Sequence, residues 1–197
     1  MNYHAAKAFI LHKLSQDLSP KLTYHGIHHT FDVLEVVSNL CKAEQISVYE
    51  SMLLKTAVLF HDSGFIFSSE GHEARSCGLA KAHLPQYNYT AEEIERICGM
   101  IMATKIPQTP NNILEEIICD ADLDYLGRPD FKSIAKSLFV ELKNYEILQK
   151  EEDWNRIQVT FIGNHSFFTR TNREQRRPPK LAHLAELKSL VATYSSS

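Results

Sequence analysis

Three separated segments of the chain each place an imidazole or a carboxylate at the edge of an apolar helical run. His29 precedes one such run, His61 and Asp62 end a second, and Asp122 ends a third. Burying these groups costs free energy unless something compensates them, and a divalent cation suits both imidazole and carboxylate. The sequence therefore predicts a metal site built from residues that are far apart along the chain.

Helical spacing indicates which of the polar residues face inward. One helical turn separates His29 from Val33, so the imidazole continues the apolar stripe of its helix. Asp122 follows Ile118 by the same step, whereas Asp120 falls on the polar side of that helix. We therefore expect Asp122 to face the metal, and Asp120 to lie behind the ligands at most.

The predicted ligand set is His29, His61, Asp62 and Asp122. Two imidazoles and two carboxylates suit one divalent transition metal ion, Mn, Fe, Co, Ni or Zn, with Mg possible. In an octahedral site, positions would stay open for water and substrate. A single histidine or aspartate at a helix end is more often a cap, an ion pair or a satisfied core residue. It is the joint arrangement that favours ligation.

Composition limits the class of protein. The 197 residues fit one domain, and 44% hydrophobic with 23% charged residues is ordinary globular composition. The net charge of −3 gives no general attraction for nucleic acid or anionic lipid. No apolar run reaches the roughly 20 residues that span a bilayer, and the N-terminal residues lack a secretory pattern. We therefore expect a cytoplasmic protein without a membrane partner, and a nucleic-acid partner is not expected.

The four cysteines lie far apart and form no CxxC pair, so we expect free, buried thiols. Helical periodicity dominates the chain, and no alternating strand pattern with hairpin turns is evident. The sequence thus predicts an all-α single domain over residues 1–197. Thr90 and Glu93 form a capping box at the start of the fifth helix. The other helices are predicted at 4–18, 31–41, 48–62, 70–84, 112–124, 129–149, 151–168 and 181–193, with Pro129 in a first turn and a basic connector at 170–180.

The order of an early histidine, a His-Asp doublet and a late aspartate resembles the HD-domain superfamily of metal-dependent phosphohydrolases. Here these are His29, His61, Asp62 and Asp122 in an Ala-Asp-Leu context. The resemblance covers roughly residues 20–130, and it implies an HD-type helical bundle with a metal-site core there. Residues from about 130 to 197 would then be a helical extension, which such proteins tend to append.

Two further motifs carry resemblances that imply roles. The histidine four residues before the metal ligand can protonate a leaving oxygen in cyclic-nucleotide phosphodiesterases, which suggests His25 as general acid. Alternatively, His25 orients its neighbours or faces solvent. His72 and Glu73 resemble a His-Glu pair of small bacterial HD hydrolases. There, His72 would bind phosphate or water and Glu73 would orient the nucleophile or a ligand histidine, unless Glu73 is simply a carboxylate at a helix start.

Arginines are concentrated in one segment near the C-terminus. Arg170, Arg173 and Arg176 could contact a substrate phosphate, since guanidinium groups bind phosphate in bidentate fashion. The alternative is a solvated segment whose cations complement a helix C-terminus. The sequence leaves both interpretations of the arginines open.

The sequence as a whole predicts an enzyme, a metal-dependent phosphohydrolase. Its substrate would be a small phosphate ester, most plausibly a nucleotide phosphomonoester or phosphodiester, attacked by a metal-activated water. The alternatives are a regulatory module that binds metal or nucleotide without catalysis, an HD-type oxygenase and a purely structural helical protein. Met102-Ala103-Thr104 replaces the additional histidines of tandem-metal members, which argues against the oxygenase and against a second full metal site. The oligomeric state stays open, a homodimer included.

Overall fold

The structure is a computed structural model, and it describes residues 1–194. Within that range the chain forms ten α-helices and no strand, which confirms the all-α prediction. The helices are α1 Tyr3–Asp17, α2 Ile27–Ala43, α3 Val48–Phe60, α4 His72–His83, α5 Ala91–Ala103, α6 Ile113–Asp122, α7 Phe131–Asn144, α8 Glu151–Asn164, α9 Arg170–Gln175 and α10 Arg177–Thr193. Short 3₁₀ turns lie at Ser63–Ile66, Leu84–Tyr87 and Asp124–Gly127.

Helix α3 lies at the centre of the N-terminal half of the protein, which comprises helices α1 to α6; the later helices form the C-terminal half. Helix α3 is apolar on nearly every side after its first turn, and Leu53, Leu54 and Val58 have no exposed surface. A helix of this kind must be surrounded, and α1, α2 and α5 pack around it. Because α3 is almost entirely enclosed from Leu53 to Phe60, its C-terminal end lies inside the protein together with His61, which follows it.

Local signals define several helix ends as the sequence predicts. The Thr90 side chain accepts a hydrogen bond from the Glu93 amide, and the Glu93 carboxylate accepts one from the Thr90 amide, so the capping box is confirmed. Asn112 caps α6 in a similar way by accepting hydrogen bonds from two amides of the first turn. These caps fix the starting points of α5 and of α6, the helix that ends at Asp122.

The C-terminal helices differ from the predicted ones at their ends. Helix α7 ends at Asn144 instead of near residue 149, and Glu146 then adopts a left-handed φ of 58°. Helix α8 ends at Asn164 instead of near residue 168, because His165 is already extended. Pro129 precedes α7 and does not lie in its first turn.

The prediction of a basic connector at 170–180 is also wrong, because this segment is helical. Its residues form helix α9 and the first turn of α10, and Pro178 and Pro179 occupy that first turn. Proline is compatible with the first turn of a helix, where its missing amide has no helical partner anyway.

Two clusters of buried apolar side chains fill the interior. The first is formed by helices α1 to α6, and the second joins Tyr24 and the segment 123–126 to α7, α8 and α10. All four cysteines are buried and free, as predicted. Within residues 1–194, no helix is both long enough and apolar enough to cross a membrane.

Asp120 connects the two halves, and its predicted position on a polar face is wrong. The side chain has no exposed surface, because the segment 167–169 covers that side of α6. Its carboxylate accepts hydrogen bonds from the amides of Phe168 and Thr169, each at 2.8 Å, and from the Thr169 hydroxyl at 2.6 Å. The carboxylate thus ties the C-terminal half to the helix that carries Asp122.

We predict that Asp120→Ala destabilises the fold by roughly 2–4 kcal/mol, because two buried amides lose their acceptor. Thermal or denaturant unfolding measures the change. The control is Glu116→Ala, one turn earlier on α6, since the Glu116 side chain makes no hydrogen bond or ion pair with residues 1–194. Equal unfolding midpoints for the two variants would show that Asp120 does not tie the halves together.

Candidate metal centre

His29 reaches the centre from the first turn of α2. The helix begins at Ile27, four residues before the predicted start, so His28 and His29 are both helical. His29 is 5% exposed and continues the buried stripe of Val33 and Val37, as its spacing predicts, whereas His28 faces solvent. His25 lies before the helix, in the turn that leads into it.

His61 and Asp62 follow the last residue of α3. The Nδ1 atom of His61 lies 2.7 Å from the Val58 carbonyl and donates to it, so Nε2 is left to face the other ligands. The turn after the doublet is fixed by Ser76, which donates to the His61 carbonyl and accepts from the Gly64 amide. A Cβ atom on Gly64 would lie 2.0 Å from the His72 carbonyl oxygen, so only glycine allows this close approach.

The four predicted ligands meet at one place. The Nε2 atoms of His29 and His61 lie 3.0 and 3.5 Å from Oδ1 of Asp122. The Oδ2 atom of Asp62 lies 3.6 Å from His29 Nε2 and 3.4 Å from His61 Nε2. Ligand atoms of His29, His61 and Asp122 all lie within 4.8 Å of one another. Two ligand atoms bound at about 2.0–2.2 Å to the same ion lie at most roughly 4.4 Å apart. Only small shifts of these side chains would therefore be needed for them to share one cation.

Two buried polar atoms of this cluster lack a hydrogen-bond partner. His61 Nε2 and Asp62 Oδ2 are buried and make no hydrogen bond with the described protein, although buried polar atoms are normally paired. A divalent cation between them would satisfy both. The donor set of imidazole nitrogens and carboxylate oxygens suits a transition metal ion, so the residues present fit the predicted cofactor.

The electrostatics of the cluster agree with this need for positive charge. Burial disfavours the charged form of His61, but the carboxylates of Asp62 and Asp122 raise its pKa to about 9. Burial likewise opposes ionisation of Asp122, yet His29 and His61 lower its pKa to about 2. Both carboxylates therefore stay ionised, and in the protein alone a proton on imidazole supplies the positive charge that a metal ion would bring.

His72 and Glu73 begin α4 beside the cluster. The Nδ1 atom of His72 donates to the Ser69 carbonyl at 3.0 Å, and its Nε2 lies 3.4 Å from Oδ1 of Asp62. Glu73 is buried, and its Oε1 lies 3.7 Å from the same Nε2. The structure thus places His72 beside the Asp62 carboxylate and Glu73 beside His72.

His25 is held by a glutamate that the sequence did not indicate. Its Nδ1 lies 2.5 Å from Oε1 of Glu141, a residue of α7 that is 4% exposed. The other carboxylate oxygen accepts hydrogen bonds from the amides of Tyr24 and His25, at 2.7 and 3.0 Å. The His25 ring also stacks on Phe65, with centroids 4.1 Å apart. Nothing in the spacing of a helix more than a hundred residues away could have paired Glu141 with His25.

A cavity of about 260 Å³ opens on the centre. Five ionisable residues of the centre line it, namely His25, Asp62, His72, Glu73 and Asp122. The rest of the lining is uncharged and comes mainly from the C-terminal half, and it includes Tyr125, Trp154 and Phe161. The arrangement can place a charged group of a ligand against the ligand cluster and an uncharged group against the aromatic wall.

The three predicted phosphate-binding arginines do not line this cavity. Arg170 is exposed and pairs with Glu174 at 2.9 Å, and Arg173 donates to the Phe167 carbonyl. Arg176 pairs at 2.7 Å with a buried carboxylate, that of Asp124. The structure gives their phosphate role no support.

Residues 19–100 match the family model HD-CE. The match confirms the resemblance to the HD-domain superfamily that the motifs indicate. It covers less than half of the chain, contains His29, His61 and Asp62, and ends before Asp122. Searches among curated proteins and among solved structures gave no match.

We predict that Asp122→Ala and His61→Ala weaken metal binding by more than about tenfold, because each removes a ligand of the centre. Asp120→Ala should keep its metal, although it lowers stability. Metal content after dialysis against Mn²⁺ or Zn²⁺, measured on folded protein, checks this. Equal metal loss in the Asp120 and Asp122 variants would contradict the assignment.

Proposed function

We propose that this protein is a metal-dependent phosphohydrolase that cleaves a small phosphate ester, with a nucleotide as the most plausible kind of substrate. The observation that carries the proposal concerns two buried atoms without a hydrogen bond, His61 Nε2 and Asp62 Oδ2, the second of which belongs to a residue that lines the cavity. Buried atoms of this kind at a mixed histidine and aspartate cluster are explained by a cation. The family match supports the same conclusion.

His29, His61, Asp62 and Asp122 are the residues that would hold the ion. When bound there, a divalent ion supplies polarisation of a phosphoryl oxygen and lowers the pKa of a coordinated water. The Val58 carbonyl fixes the orientation of the His61 ring, which a ligand histidine needs. The aromatic side chains make this part of the cavity less polar than bulk water, which strengthens electrostatic interactions within it.

His25 is the residue we assign to the leaving group. Glu141 accepts from Nδ1 and thereby fixes Nδ1–H, which leaves the Nε2 atom to exchange a proton with the substrate. The same carboxylate is anchored by two amides, so it holds the imidazole and the preceding turn in one position. Glu141 is thus a positioning residue for His25.

His72 and Glu73 lie on the side of Asp62 that faces the cavity. His72 donates from Nδ1 to the Ser69 carbonyl, which fixes the ring. Its Nε2 is then positioned to contact substrate oxygen or water, and the Glu73 carboxylate beside it can accept a hydrogen bond from that water. We propose these two residues as the groups that orient the nucleophile.

Hydrolysis of a generic aryl phosphate, p-nitrophenyl phosphate, tests the function. We expect turnover that requires added Mn²⁺, Co²⁺, Ni²⁺ or Mg²⁺ and that is abolished by a chelator. His61→Ala and Asp62→Ala should lower kcat/KM at least about a hundredfold, because the ion is lost. Stoichiometric metal without any turnover of mono- or diesters would instead favour a non-catalytic binding module.

We further predict that Glu141→Gln lowers kcat about tenfold to a hundredfold for phenyl phosphate, with little change in KM. The loss should be smaller for p-nitrophenyl phosphate, whose leaving group needs less protonation. In a His25→Ala background the Glu141 substitution should cost little more, because the two residues act as a unit. The control is Lys136→Gln, an exposed residue of the same helix. Equal losses with both substrates would argue for a purely structural Glu141.

A further inference from the structure

Helix α8 contributes more residues to the cavity than any other described helix. They are Trp154, Ile157, Gln158, Phe161 and Ile162. Their spacing of three and four residues places all five on one face of the helix. The face contains two aromatic rings, two branched aliphatic side chains and one neutral amide, and it contains no charged group.

The charge of the cavity is concentrated at the metal end. Apart from the five ionisable residues of the centre, the lining contributed by the described residues is uncharged, and neither lysine nor arginine is part of it. A second phosphate group placed along the α8 face would lose its hydration without meeting a cation, which is costly. An uncharged ring placed there would bury apolar surface against Trp154 and Phe161.

The size of the cavity also favours a single uncharged group along the α8 face. Its volume of about 260 Å³ is just below the usual range for pockets that bind drug-sized ligands, roughly 300–1,000 Å³. The ion and the phosphate must occupy the end near Asp62 and Asp122. The remaining space of this cavity suits one compact group.

The geometry points to the α8 face as the specificity-determining surface of this site. On the basis of the proposed function, α8 binds the uncharged, ring-bearing part of an ester that carries a single phosphate group, and it excludes diphosphate and triphosphate esters. Helix α8 lies outside the segment 19–100 that matches the family model. Substrate choice is therefore a property of this chain's C-terminal half.

Binding of phosphonates, which cannot be hydrolysed at the P–C bond, tests the surface independently of turnover. We expect the Mn²⁺-loaded protein to bind phenylphosphonate at least about tenfold more tightly than methylphosphonate in calorimetry, since only the former buries a ring. Phe161→Ala should remove most of this difference. Ile157→Ala, at a residue that is 48% exposed and carries little risk to folding, should reduce it as well.

Thr160→Ala is the matched control, because Thr160 is an exposed residue of α8 that does not line this cavity. It should retain the full preference for phenylphosphonate. Equal affinities for the two phosphonates in the wild-type protein, or no binding of phenylphosphonate, would overturn the inference. So would an equal loss of preference in the Thr160 and Phe161 variants.

Turnover tests the exclusion of a second phosphate. We expect kcat/KM for phenyl diphosphate to be at least about tenfold below that for phenyl phosphate. Comparable values would contradict the exclusion while leaving the phosphohydrolase proposal intact. If no ester is hydrolysed but the phosphonate preference persists and depends on Phe161, then the hydrolase proposal fails and the role of α8 as a ligand-binding face stands.

Discussion

The mutual proximity of two mostly buried carboxylates and two imidazoles is the constraint on which the rest of this structure depends. Asp62 and Asp122 are mostly buried, with side-chain exposures of 12% and 16%, and each faces the Nε2 atoms of His29 and His61. Such a cluster is unfavourable unless positive charge is supplied, either by protons on imidazole or by a cation. Helix α3, whose second half is buried, makes this possible because it carries the doublet into the interior.

The C-terminal half is coupled to this centre at three points. Asp120 fastens the segment 167–169 to the helix that carries Asp122. Glu141 on α7 holds both the turn before α2 and the ring of His25. Helix α8 provides one wall of the cavity. The extension therefore does more than cover the core: it fixes the position of one candidate catalytic group and shapes the space in which a substrate would lie.

Helical periodicity predicted the inward-facing ligands correctly because burial along a helix follows a simple repeat. His29 and Asp122 continue apolar stripes, and the structure places both beside His61. The same reasoning was wrong for Asp120, since a polar stripe is exposed only if no other segment covers it. Glu141 was not predictable either, because its partner lies more than a hundred residues away and its own helix gives no sign of the contact. The C-terminal ends of α7 and α8 were predicted too far along the chain, because residues that are compatible with a helix continue past the points where the two helices end.

Arg176 and Arg128 lie close to a buried carboxylate outside the cavity, that of Asp124. Asp124 is almost fully buried, and Arg176 pairs with it at 2.7 Å while Arg128 lies within 3.9 Å. Withdrawing Arg176 to bind a phosphate would leave that carboxylate buried with little compensation, at a cost of several kcal/mol. Arg176 is therefore committed to holding the junction of α9 and α10 against the segment that follows α6. Under the proposed function, neutralisation of a bound phosphate would then have to come from the ion and the histidines of the centre.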